Sequence, residues 1–166
     1  MTSDGRAVAN FVLDYCLSKE RPITNLSLQK IVYFCHVRSL VHLNRPLIKQ
    51  SFEAWRFGPV LQYLYREFKG FEDNPITGRA TRIDPNTGSK QVVEYHFDKE
   101  TESLLAETVD FYSRISAGDL VRLSHAPGGP WERAWNYAGS VNPGMKIDNA
   151  AIKKYYSSAP PSFVKQ

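Results

Sequence analysis

Cysteine is scarce in this chain: 166 residues carry two, Cys16 and Cys35. Neither belongs to a CxxC pair or a Cys/His cluster, so no zinc ligand set exists by spacing. Both fall among apolar residues on expected helices and read as buried free thiols of a reducing compartment, with a disulfide or metal role as the alternative. Long apolar runs are also missing. No stretch approaches the ~20 residues needed to cross a bilayer. The opening Met1-Thr2-Ser3-Asp4-Gly5-Arg6 lacks the basic start and apolar run of a secretory signal. The expectation is a cytoplasmic protein without membrane association. Missing too are GxSxG, a P-loop, HExxH and the dinucleotide glycine fingerprint. No internal repeat or low-complexity tract occurs. Positive charge is not concentrated: the net charge is +4, and Lys and Arg are scattered in short groups such as Lys153-Lys154. Nucleic-acid binders gather such residues on one face or arm. These absences leave neither enzyme, nor metal, nor cofactor as the expectation.

Aromatic residues, by contrast, make up 13% of the chain, enough to fill a core. A chain of this length fits one domain and buries roughly 70% of its unfolded surface without a staple. Ala7, Val8, Phe11, Val12 and Tyr15 line one stripe of a first helix from about Asp4 to Leu17, capped by Ser3 or Asp4. Thr24, Asn25 and Ser27 offer caps for a second helix. Its apolar positions, Leu28, Ile31, Val32, Cys35, Leu40 and Val41, cover so much circumference that it belongs at the centre of a bundle.

The stretch Phe52-Glu53-Ala54-Trp55-Arg56-Phe57-Gly58-Pro59-Val60 puts charges, rings and a Gly-Pro break together. It reads as an extended, partly buried segment with Phe52, Ala54 and Phe57 inward, turning at Gly58 into a helix that Pro59 begins. Turn residues Asp84 to Ser89 between two β-prone runs indicate a hairpin within residues 79–97, with Val93, Tyr95 and Phe97 on a buried face and a solvent-exposed loop as the alternative. Helices resume at Lys99, after the Ser116 cap, at Pro130 with Trp131, Ala134, Trp135 and Tyr137, and after Asp148. Gly128-Gly129 is read as the turn that lets Pro130 start its helix. The expected fold is mainly α: a compact single-domain helical bundle with a small β-hairpin insertion. The domain spans residues 1–156, and 157–166 form a loose tail.

Three separated stretches carry a resemblance. Asn25-Leu26-Ser27-Leu28-Gln29-Lys30-Ile31-Val32-Tyr33-Phe34, the 52–60 segment, and Leu123-Ser124-His125 followed by Pro130-Trp131 resemble, in order and spacing, the Panacea or SocA-like antitoxin domain of bacteria and phages. The resemblance covers about residues 5–140. Phe57 stands where that family often has tyrosine, and Ser124 where threonine is common. It implies an antitoxin that neutralises a cognate toxin, encoded by the adjacent gene, through direct protein contact in a type II-like toxin-antitoxin system. Some relatives carry added DNA-binding segments, and some are thought to deliver the toxin to a protease. The net positive charge keeps a DNA-binding autoregulator of its own operon as one alternative function, and a proteolytic adaptor that delivers the toxin to a protease is the other.

The candidate site comprises Gln29, Lys30, Tyr33, Glu53, Trp55, Arg56, Phe57, His125 and Trp131, acting as a scaffold network or as a toxin-binding pocket. Gln29, Lys30 and Tyr33 are read as lining a polar groove, with a solvated helix face as the plain alternative for Lys30. Glu53 and Arg56 are expected to pair with each other or to bridge to His125 and Lys30. His125 is the side chain best suited to acid–base work, and an enzyme using it with Glu53 remains a rival. Trp131 and Trp135 share a helix face, either as core or as an exposed anchor for a partner. Arg79, Arg82 and Lys90 are expected on the exposed hairpin.

Overall fold

The computed structural model describes residues 2–136 and 143–158. Its centre is α2 (Asn25–Arg38), which is buried on every side and touches α1 (Gly5–Ser18), α3 (Gln62–Phe68), α4 (Lys99–Tyr112), α5 (Ala117–Ser124) and α7 (Asn149–Ser158). Thr24 and Ser116 cap α2 and α5 by hydroxyl oxygens that accept backbone N–H bonds, and Asp4 and Asp98 cap α1 and α4 by carboxylate oxygens that do the same. After Arg38 the helix widens into a π turn, Ser39–Leu43, and Asn44 ends it in the left-handed conformation. Phe34 of α2 stacks on Tyr112 of α4 with centroids 4.5 Å apart, and Tyr33 meets Phe52 edge to face at 5.2 Å. The fold is mainly α with two small antiparallel two-stranded sheets.

The first sheet corrects an expectation. Residues 52–60 do not run straight into a helix. β1 (Glu53–Trp55) and β2 (Gly58–Val60) form a hairpin, pairing Glu53 with Val60, Ala54 with Pro59 and Trp55 with Gly58. Pro59 lies inside β2, and α3 starts only at Gln62. The hairpin wins because Gly58, at φ +112°, takes a backbone angle that closes a two-residue loop. α6 (Pro130–Trp135) does begin with its proline, after Gly129.

The second sheet is the expected hairpin, β3 (Thr81–Ile83) with β4 (Lys90–Val92). Buried Asn10 of α1 holds its base. Its amide donates to the Ala80 and Val93 carbonyls at 3.0 and 2.8 Å and accepts from the Ala80 N–H at 2.8 Å. Beyond β4, Val93 is buried while Tyr95 and Phe97 pack edge to face on Phe11. α7 extends through Ser158, so it includes the first two residues assigned to the tail; residues 159–166 and Tyr137 lie outside the described residues.

His36 fastens α7 to the centre. Its Nδ1 accepts from the Ile48 N–H at 3.2 Å, which leaves Nε2 as the protonated nitrogen facing Asn149 Oδ1 at 2.8 Å. No helix among the described residues is long and apolar enough to cross a membrane.

Candidate functional site

Two neighbouring polar side chains of α2 hold the β1–β2 hairpin from beneath. Gln29 and Lys30 are both buried, although both are polar. Gln29 donates to Asn25 Oδ1 at 3.0 Å and accepts from the Leu61 N–H at 3.1 Å. Lys30, with no exposed surface, donates from Nζ to the Pro59 carbonyl at 2.9 Å. The two bonds thus grip the chain on both sides of Val60. Burial pulls the Lys30 pKa down to about 7. Gly58 makes room for the lysine stem: a Cβ there would sit 2.6 Å from Lys30 Cε and 2.6 Å from Ser124 Oγ.

Above this support lies an aromatic layer. The Trp131 indole donates to the Trp55 carbonyl at 2.7 Å, joining α6 to β1. The His125 ring stacks on Trp131 with centroids 3.7 Å apart, and Trp135 stacks on the Trp131 ring at 5.6 Å. Trp55 turns its own N–H to Glu53 Oε1 at 2.8 Å and its ring to Tyr65. Residues 146–147 add to the edge of this hairpin: the Ile147 N–H donates to the Phe52 carbonyl, and the Lys146 backbone pairs with Glu53 as an antiparallel β-bridge. Burial, then the nearby Lys30 charge, lowers the His125 pKa, and its buried Nε2 has no hydrogen-bond partner among the described residues.

The outermost layer is exposed. Arg56 and Phe57 form the hairpin tip, with the guanidinium over the Phe57 ring and Phe57 57% exposed. Trp135 is 41% exposed on α6, and Leu123 of α5 is 38% exposed.

Several expectations change accordingly. Phe57 points outward because the two-residue loop projects its side chains away from the bundle. Lys30 and Tyr33 line no groove. They lie inside the bundle, where α2 is enclosed on all sides. Tyr33 packs on Phe34 and Phe52, and burial, then the Tyr156 hydroxyl, raises its pKa; neither hydroxyl makes a well-formed hydrogen bond among the described residues. Glu53 and Arg56 form no ion pair with each other, with Lys30 or with His125 among the described residues: Glu53 is taken by an indole and Arg56 is carried to the tip. The His125–carboxylate pair that an enzymatic reading requires is not assembled with Glu53. No group of three or more His, Cys, Asp or Glu among the described residues is placed to hold a metal.

The geometry places the three stretches of the resemblance in one stack: the Gln29-Lys30 support, the 52–60 hairpin and the His125–Trp131 cover. A family model described as "Antitoxin SocA-like, Panacea domain" matches residues 28–132. The chain belongs to the SocA-like Panacea family. It is 40% identical over 151 residues to Antitoxin SocA of Caulobacter vibrioides (strain NA1000 / CB15N), covering 90% of this chain and 80% of that relative. No solved structure matches the chain. Family membership supports an antitoxin role, and with it a regulatory one. The Panacea match runs from the start of the α2 support to the second residue after Pro130, so it contains all nine residues singled out from the sequence. Trp135 and Leu123 were not among those nine. Their signal was geometric: Trp135 follows Trp131 by one helical turn, and only the fold reveals which indole is covered.

Proposed function

We propose that this SocA-like chain is an antitoxin that neutralises a toxin encoded by the adjacent gene, by binding it directly. The contact surface in this reading is the hairpin tip with the outer face of α6. The observation that carries it is the exposure of Phe57 and Trp135 on a backing that is itself fixed. Large rings held rigidly at a surface lose little entropy on binding and make effective anchors. Lys30, Gln29 and Trp131 act through position. They hold the hairpin and α6 in one arrangement and need not touch the toxin.

The test is co-expression with the neighbouring gene. The antitoxin should restore growth to cells making the toxin, and a tagged form should carry the toxin through purification. A toxin that still kills, with no complex recovered, sinks the reading.

A further inference from the structure

The β3–β4 hairpin has one open edge. Asp84 N–H donates to the Ser89 carbonyl at 2.8 Å, and Val93 N–H donates to the Ala80 carbonyl at 3.0 Å. The register sets Thr81 opposite Val92, Arg82 opposite Gln91 and Ile83 opposite Lys90. Alternation then makes 80–93, 82–91 and 84–89 the hydrogen-bonded pairs. The backbone N–H and C=O groups of Thr81, Ile83, Lys90 and Val92 therefore point away from the hairpin. On the β3 side the protein closes the edge itself: Thr81 N–H donates to Glu67 Oε2 at 3.2 Å, and its carbonyl accepts from Arg6 at 3.2 Å. On the β4 side no described residue bonds to the outward backbone groups of Lys90 or Val92, nor to the backbone of Glu94 just beyond.

An open edge normally carries a guard such as a proline or a bulge. Residues 89–95 contain no proline, β4 pairs with β3 without a bulge, and the β-branched Val92 is 56% exposed. The side chains along this edge are also self-complementary. Lys90, Val92 and Glu94 are exposed at alternate positions, while Val93 is buried. Set antiparallel against its own copy about Val92, the edge places Lys90 opposite Glu94, Val92 opposite Val92, and Glu94 opposite Lys90. Residues 90, 92 and 94 share one parity, so each facing pair exchanges two main-chain hydrogen bonds. An axis at Lys90 or Glu94 would put like charges face to face, and one at Gln91 or Val93 would put a charge against Val92. The Val92 axis alone matches every side chain with a suitable neighbour.

We propose that β4 is a self-association edge: it adds antiparallel to β4 of a second copy of this chain, about a two-fold axis at Val92. The two hairpins then form one continuous four-stranded sheet in the order β3, β4, β4, β3. Growth stops at that point, because the outer β3 edge is already closed at Thr81 by Glu67 and Arg6. The product is a closed dimer and not a fibre. The contact is a short strand pair, well below the area of a standard stable interface, so dimers form at chain concentrations on the order of 100 µM. The proposal does not rest on the antitoxin reading.

The test is sedimentation equilibrium of the full chain from low micromolar to millimolar concentration. The wild type should pass from monomer to dimer, and amide exchange should slow with concentration at Lys90, Val92 and Glu94 but not at Gln91 or Val93. Glu94→Lys and Lys90→Glu should each weaken dimerisation about tenfold, since either change sets like charges opposite one another twice across the axis. Mixing those two variants should restore the dimer, because opposite charges then meet again. Val92→Pro removes an N–H that the hairpin does not use, so the chain should still fold but stay monomeric. A wild type that remains monomeric throughout overturns the proposal. So does a dimer that survives Val92→Pro, or charge variants that dimerise as the wild type does or fail to recover on mixing. A monomeric wild type whose toxin binding is lost in Glu94→Lys would give this edge to the toxin instead, and would also overturn it.

Discussion

The Trp131 indole N–H donates to the Trp55 carbonyl at 2.7 Å, and through that bond two segments 76 residues apart share one aromatic surface. The carbonyl lies at the end of β1, next to the loop that exposes Arg56 and Phe57. Trp131→Phe keeps most of the ring and removes the donor. It should lower stability by about 1–3 kcal/mol, the cost of leaving a half-buried carbonyl unpartnered. Urea unfolding reads this directly, and an unchanged midpoint would show that the bond does not tie α6 to the hairpin.

Gly58 is confined twice, by its φ of +112° and by Lys30 and Ser124, which would crowd a Cβ at 2.6 Å. Gly58→Ala should cost about 3 kcal/mol, combining backbone strain with overpacking. Thermal unfolding of the purified variant measures it. A near-wild-type melting temperature would mean that the hairpin can shift off the lysine.

Lys30 gives a pH signature. Its pKa falls from 10.5 in the unfolded chain to about 7 in the fold, through burial. Between those values the unfolded chain binds a proton that the folded chain does not, so stability from this group rises as pH rises from about 7 to 10.5 and is lost on the way down. The change has an upper bound on the order of 5 kcal/mol. Lys30→Met removes the titrating group. Wild type should therefore gain stability over the Met variant as pH climbs through this window, in denaturant titrations at matched pH. Parallel curves would mean that the amine reaches water.

Asn10→Ala should release the second hairpin from α1, since it strips partners from the Ala80 N–H and from two carbonyls together. The expected loss is about 3 kcal/mol. Hydrogen exchange should speed up across residues 80–93 while the amides of α2 keep their ranking. Uniform acceleration through the whole bundle would show that the hairpin has no separate stability.

Phe57→Ala and Trp135→Ala test the proposed contact surface. Phe57 is 57% exposed, so Phe57→Ala should change stability by no more than about 0.5 kcal/mol, whereas Trp135→Ala also removes the stack on Trp131 and should cost about 0.5–1.5 kcal/mol. Toxin affinity should fall by about 2 kcal/mol or more at an anchor position. Calorimetric titration separates the two effects. Full affinity in both variants would move the contact elsewhere on the molecule.

The helices could be read from local chemistry. Side-chain caps at Asp4, Thr24, Asp98 and Ser116 and the Gly129-Pro130 start are signals carried within a few residues, and the structure has them in place. The central position of α2 followed from its apolar circumference. The 52–60 segment was harder, because Gly-Pro fits a helix start as well as a hairpin. The pairing of Trp55 with Gly58 depends on a cross-strand register that no local pattern fixes.

By itself, then, the sequence determined the helical bundle, the insertion at 79–97 and the set of polar and aromatic residues grouped around the hairpin. Only the tertiary structure decided which of them face water. Lys30 and Phe57 exchanged their expected places, since a long amine stem reaches a carbonyl in the interior while a two-residue turn throws its rings outward. Burial depends on what packs opposite a side chain, and that partner comes from a distant part of the chain.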